Sequence, residues 1–249
     1  MLGNLNFEDI GKMVATVGKK TLYLSDKPVE EGMNEFKSKN DTNIQHIPDK
    51  NTERSVLYIT GQSGSGKSYY TKQYIAEYHK MYPKRNVFVF SSLADDETLD
   101  KLKYLKRIKI KEEPFLSSDI GAVDFKDTLC IYDDIDVISN KIIKTKVFKL
   151  LNEMLEIGRH FNTSVIFTSH NATMGLDTKR ILNECTSITL FPKNLGGKTS
   201  KYLLDGYLGI DKNQIKKLKK VNSRWVTILK TYPMMCLSEN EAWIINSTD

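Results

Sequence analysis

Cysteine is scarce in this 249-residue chain. Its three cysteines, Cys130, Cys185 and Cys236, are far apart and odd in number. They match no zinc-ligand spacing, and they are expected as small buried hydrophobes in a reducing compartment. No apolar run reaches about 18 residues, so no membrane-spanning helix is expected. The opening MLGNLNFEDIGKMVATVGKK lacks a basic start followed by a long apolar stretch, so no secretion signal is expected either. The cytosol is the expected compartment. Internal repeats are absent. Acidic residues are outnumbered by 37 Lys and Arg to 31 Asp and Glu, which leaves a net charge of +6. A basic surface attracts polyanions, nucleic acid first. The densest basic run, KNQIKKLKK from Lys212 to Lys220, reads equally well as a solvated helix face.

What is present is a large-domain length with an ordinary share of apolar residues, enough for a sizeable core. Residues 1–53 read as an N-terminal extension with little core of their own: TLYLSDKPVEEG is a candidate short strand and turn, and FKSKNDTNIQHIPDKNTE is polar and loop-like. From 54 to 249, apolar strand-like runs alternate with helical patterns. VLYIT, NVFVFSS, TLCIYDD, TSVIFTSH and SITLFP are expected strands, and RIKI is a further candidate. Helices are expected over 68–81, 95–106 and 145–157, the last stopping at Gly158. The tail holds one or two basic helices over 199–221, followed by strands in RWVTIL, MMCLS and AWIIN. This rhythm predicts an α/β fold, mainly a parallel sheet with helices on both faces.

Between VLYIT and the first helix lies GQSGSGKS. Gly61, Gly64 and Gly66 permit backbone angles that let successive amides converge on one point. The following helix adds its N-terminal dipole. The expected ATP-binding segment is Gly61, Gln62, Ser63, Gly64, Ser65, Gly66, Lys67 and Ser68, with Tyr69 next to it. Lys67 reaches the outer phosphates as a point charge, and the Ser68 hydroxyl is a ligand for Mg²⁺. TLCIYDD delivers Asp133 to the carboxyl edge of the sheet as the second metal anchor. Asp134, beside it, is placed to orient and deprotonate an attacking water. Asp136 reads as a solvated loop residue.

The stretch EIGRHFNTSVIFTSHN follows. A strand inserted between the two motif strands ends beside the γ-phosphate, which makes His170 the candidate sensor and Ser169 the second. Arg159 sits at the opposite end of that strand. It is placed either to reach a neighbouring subunit's site or to cap the carbonyls of the preceding helix.

The combination of GQSGSGKS, LCIYDD and GRHFNTSVIFTSHN resembles the viral genome-packaging ATPases of the FtsK–HerA superfamily. The likeness is to the poxvirus-type enzymes of nucleocytoplasmic large DNA viruses and their virophages, and it covers about Arg54 to Lys193. The resemblance implies a P-loop NTPase of the RecA-like, ASCE type. It implies ATP and Mg²⁺ as cofactors. It also implies a homo-oligomeric ring, pentamer or hexamer, that pumps double-stranded DNA into a preformed capsid through its backbone phosphates. The capsid or portal vertex would be a partner, and the host cytoplasm or the virion the location. Within it, Lys67 and Ser68 bind ATP–Mg²⁺, Asp133 anchors the metal, Asp134 is the catalytic acid and Arg159 the trans-acting finger. The family often has glutamine where this chain has His170. NLGGKTSK and KKLKK are candidate DNA-facing elements. Two other readings share the phosphate loop: a nucleotide or small-molecule kinase, and an ATP-dependent assembly switch without hydrolysis. Arginine beyond Asp134 is limited to Arg159, Arg180 and Arg224, which form no lid-like cluster, and paired acids favour water as the acceptor.

Overall fold

The computed structural model describes residues 3–39, 42–52, 54–173 and 176–245. The chain begins with five strands, β1 (Asn4–Asn6), β2 (Lys12–Val17), β3 (Lys20–Ser25), β4 (Glu35–Lys37) and β5 (Ile44–His46). β6 (Val56–Thr60) leads into α1 (Lys67–Met81), β7 (Asn86–Ser91), β8 (Leu105–Ile108), α2 (Glu113–Ser117) and β9 (Thr128–Asp133). Then come α3 (Lys141–Ile157), β10 (Ser164–Ser169), α4 (Leu176–Glu184), β11 (Ser187–Leu190), α5 (Lys198–Lys201) and α6 (Lys212–Lys220). β12 (Val226–Leu229), β13 (Met235–Ser238) and β14 (Glu241–Ile244) close the chain.

The main sheet has ten strands in the order β4-β14-β13-β12-β11-β6-β10-β9-β7-β8. From β11 to β8 every pairing is parallel. β12, β13, β14 and β4 extend the sheet antiparallel. β10 lies between β6 and β9, as expected for a strand inserted between the two motif strands. Side chains alternate across the sheet. Val56, Tyr58, Tyr132 and Phe167 join one core with Val147, Leu151 and Met154 of α3. Leu57, Ile59, Ile131 and Ile166 join the other, with Tyr70, Tyr74 and Tyr78 of α1. Fully burying an aliphatic or phenyl side chain contributes about 1.5–3 kcal/mol, so strands buried on both faces hold the site-bearing edge firmly. Cys130, Cys185 and Cys236 are free and buried.

Residues 1–53 carry more structure than the sequence suggested. β1, β3, β2 and β5 form their own antiparallel sheet. Leu5, Val14, Ala15, Leu22, Leu24 and Ile44 are buried in the same core as α1. The polarity of 36–53 concealed this, because the apolar side chains of these strands find their partners only in α1 and in β12–β14, far along the chain. Buried His46 of β5 bonds the Tyr70 hydroxyl at 2.7 Å. That hydroxyl continues to Thr227 of β12 at 2.8 Å and from there to Thr189 of β11 at 2.9 Å.

The helix expected over 95–106 is absent; turns lead into β8 instead. Asp96 explains the difference. Its carboxylate accepts from the Thr98 and Leu99 amides at 2.8 and 2.7 Å and so caps a single turn, closed by the Asp100 amide on the Asp96 carbonyl at 3.0 Å, which is not continued before β8. α3 starts earlier than its apolar pattern, because Asn140 caps the Ile142 and Ile143 amides.

Candidate active site

The phosphate loop joins β6 to α1 at the carboxyl edge of the parallel strands. Gly64 and Gly66 have φ of +73° and +107°, which only glycine adopts without strain. A Cβ on Gly61 would stand 2.6 Å from the Phe191 ring. The Gly61 amide donates to the Ser169 carbonyl at 3.1 Å, which ties the loop to the end of β10. Gln62, Ser63 and Gly64 are exposed, and the Ser65 amide closes a turn on the Gln62 carbonyl at 3.1 Å. The first turn of α1 has neither a side-chain cap nor an acidic residue. Its amides are therefore available to an anion.

Lys67, Asp134 and His170 meet behind the loop. Lys67 Nζ donates to the Gly61 carbonyl at 3.0 Å and to His170 Nδ1 at 3.3 Å, and lies 3.7 Å from Asp134 Oδ1. His170 Nε2 lies 3.0 Å from Asp134 Oδ2. An ammonium can only donate, so Nδ1 accepts and Nε2–H is the donor to Asp134. Asp134 reaches this position from a left-handed backbone, φ +45° and ψ +39°. Such a conformation in a non-glycine residue is costly and concentrates at functional sites. Its amide donates to the Thr168 hydroxyl at 2.9 Å.

Asp133 is 4% exposed at the end of β9. Thr168 donates to its Oδ1 at 3.0 Å, and Ser91 at the end of β7 donates to its Oδ2 at 3.3 Å. Burial, and then the charges of Asp134 and Asp96, hold its carboxyl above the ordinary aspartate range. Asp96 Oδ2 accepts from the Ser68 hydroxyl at 3.3 Å. Crowded carboxylates beside a hydroxyl fit a divalent cation. Among the described residues no group of three or more His, Cys, Asp or Glu could hold a metal by itself. Mg²⁺ keeps several waters and takes one or two carboxylates together with substrate phosphates. Ser68 and Asp133 are the residues that could hold it.

Thr168, Ser91 and Asp96 were not singled out by the sequence reading. The signal for the first two was a polar residue at the carboxyl end of an apolar strand. Asp96 had none. Asp136, expected in solvent, is 9% exposed, and the Ser169 hydroxyl donates to it at 3.0 Å. The short helical turn Ile135–Val137 folds it back under β10. Ser169 therefore faces Asp136, and His170 alone of the two faces Lys67.

Arg159 lies far from this constellation, exposed on the turn Gly158–Phe161 at the opposite end of β10. The end of α3 is served by Arg54, whose guanidinium donates to Met154, Leu155 and Thr163 carbonyls at 2.7, 3.0 and 3.0 Å. Tyr69 is 46% exposed, with the Arg224 guanidinium 4.8 Å from its ring centroid. Arg180 pairs with Glu156 at 3.2 Å. Part of the NLGGKTSK segment turns inward. Leu195, Gly197, Thr199 and Ser200 line a cavity of about 130 Å³ with Gly61, Gln62 and His170.

No protein-family model matches the chain. Over 192 residues it is 45% identical to the uncharacterized protein V3 of Sputnik virophage, covering 76% of each. Among solved structures, the genome packaging NTPase B204 of Sulfolobus turreted icosahedral virus 2, in complex with AMP, gives a TM-score of 0.46 at 15% identity over 79% of this chain and 99% of that one. The cytoplasmic domain of the Type VII secretion ATPase EccC of Thermomonospora curvata gives 0.52 at 12% identity, over 95% of this chain and 29% of that one. The chain belongs to the family of Sputnik virophage protein V3, and its fold is the P-loop NTPase fold.

Proposed function

We propose that this protein is an ATP-driven motor that moves double-stranded DNA into a preformed viral capsid. The observation that carries the ATPase reading is the convergence of Lys67, Asp134 and His170 within 3.7 Å, beside Ser68 and Asp133, at the mouth of an uncapped helix. The loop amides and Lys67 bind the phosphates. Asp134 accepts a proton from the attacking water, and His170 holds its carboxylate in place by one hydrogen bond. Thr168 secures both acids. Bound Mg²⁺ neutralises charge on the outer phosphates. A kinase reading draws less support, since the acid beside Asp133 faces the lysine in a place suited to water.

Work on DNA is supported by the motif resemblance and by the basic surface. Lys212, Lys216, Lys219 and Lys220 are exposed along one face of α6 while Ile215 and Leu218 are buried beneath it. Such a face grips phosphates without reading bases, as a pump of any sequence requires. In this reading five or six copies form a ring at a capsid or portal vertex in the host cytoplasm, and Arg159 of each copy serves its neighbour's site.

The test is the ATPase rate against protein concentration, with and without duplex DNA. A cooperative rise that DNA stimulates is expected, with Lys67→Ala inactive throughout. Full activity in dilute protein that ignores DNA removes the motor, and phosphate transfer to a nucleotide acceptor establishes the kinase instead.

A further inference from the structure

We propose that Asp96 is a positioning residue for the divalent cation of the nucleotide site, orienting the cation's bound water from the loop after β7. The inference rests on the ATPase reading above.

The sheet order brings Asp96 there. β7 pairs with β9 in parallel, with Ser91 in register with Asp133, so the loop leaving β7 starts beside the metal anchor. Within that loop the Asp96 carboxylate is pinned. Oδ1 is held by the Thr98 and Leu99 amides at 2.8 and 2.7 Å, and Leu99 is fully buried. The Asp96 amide donates to Asp100 Oδ2 at 2.8 Å, and Asp100 Oδ1 pairs with Arg107 of β8 at 2.6 Å. The remaining oxygen, Oδ2, faces the Ser68 hydroxyl at 3.3 Å.

Three oxygen donors thus converge from three elements: the start of α1, the end of β9 and the loop after β7. Among the described residues neither Asp96 nor Asp133 forms an ion pair with a lysine, arginine or histidine. Two carboxylates, one of them bonded to the Ser68 hydroxyl, are balanced by a dication. Mg²⁺ dehydrates reluctantly, so a carboxylate beyond its direct ligands works through the waters it keeps. Outer partners of this kind change metal affinity by about 10–100-fold.

Asp96→Asn tests the assignment, because asparagine keeps the acceptor that Thr98 and Leu99 use and loses only the charged oxygen facing Ser68. ADP affinity is measured without metal, and Mn²⁺ binding to the protein–ADP complex is followed by electron paramagnetic resonance. The expected result is a fall of about tenfold in Mn²⁺ affinity, with metal-free ADP affinity unchanged or tighter, since a negative charge has left the phosphate site. Asp96→Ser, which retains a short cap, should repeat the split. Unchanged Mn²⁺ affinity overturns the proposal. So does an equal loss in both measurements, which is the signature of a disturbed loop. If the unsubstituted protein binds neither ADP nor Mn²⁺, the ATPase reading falls and takes this assignment with it.

Discussion

Asp133 shows how a single residue trades stability for function. Its burial and its neighbours Asp134 and Asp96 raise its carboxyl above the ordinary range. A raised aspartate binds more protons folded than unfolded, so its contribution to stability is lost as pH climbs from the ordinary carboxylate range through the raised value. At neutral pH the metal-free protein therefore carries a penalty at this position. Asp133→Asn should raise the melting temperature of the metal-free protein while abolishing metal-dependent ATP turnover. Calorimetry at pH 7 without Mg²⁺ checks the first half, and a melting temperature below that of the unsubstituted protein refutes it. Asp134 makes a similar trade in its backbone, where a left-handed aspartate costs on the order of 1 kcal/mol and aims the carboxylate at Lys67 and His170.

Between elements, the contact that matters most for the site is the docking of the N-terminal sheet on α1. Its polar thread runs from His46 through Tyr70 and Thr227 to Thr189. Burial pulls the His46 imidazole down to about 3. A histidine lowered in the folded state binds fewer protons there than when unfolded, so stability is present above the unfolded value and is lost as pH falls toward the folded one. Acidification from pH 7 to 5 should cost about 2 kcal/mol through this residue, or roughly 4–8 °C in melting temperature. His46→Gln should flatten that part of the pH dependence. If both proteins lose stability in parallel over this range, His46 is not its source. Beyond a candidate strand in TLYLS, nothing in residues 1–53 marked this sheet's packing. Residues 1–53 alternate weakly, and the apolar face they present is meaningful only once α1 covers it.

At the scale of the whole molecule, the two ends of β10 separate the two halves of the proposed mechanism. His170 stands with Lys67 at one end, and exposed Arg159 stands at the other. At that end Arg54 donates to the Met154 and Leu155 carbonyls of α3. Arg159→Ala should retain ATP binding and lose about 10³-fold in turnover. Adding Lys67→Ala subunits, which are dead in their own sites but keep Arg159, should restore part of the rate. No rescue in mixed assemblies removes the trans-acting role.

The sequence by itself determined the glycine-rich loop, the apolar strand that ends at Asp133, the parallel α/β rhythm and the separation of His170 from Arg159. Each of these is a short-range matter: glycines where φ is positive, apolar alternation, a strand length. The tertiary structure decided which carboxylates and hydroxyls share the site. Ser68 meets Asp96 across 28 residues, Asp134 meets Thr168 across 34, and Lys67 meets His170 across 103. It also buried Asp136 beneath β10. A polar side chain in a loop looks the same in sequence whether it faces water or a neighbouring strand. Only the order in which strands pair says which of the two it faces.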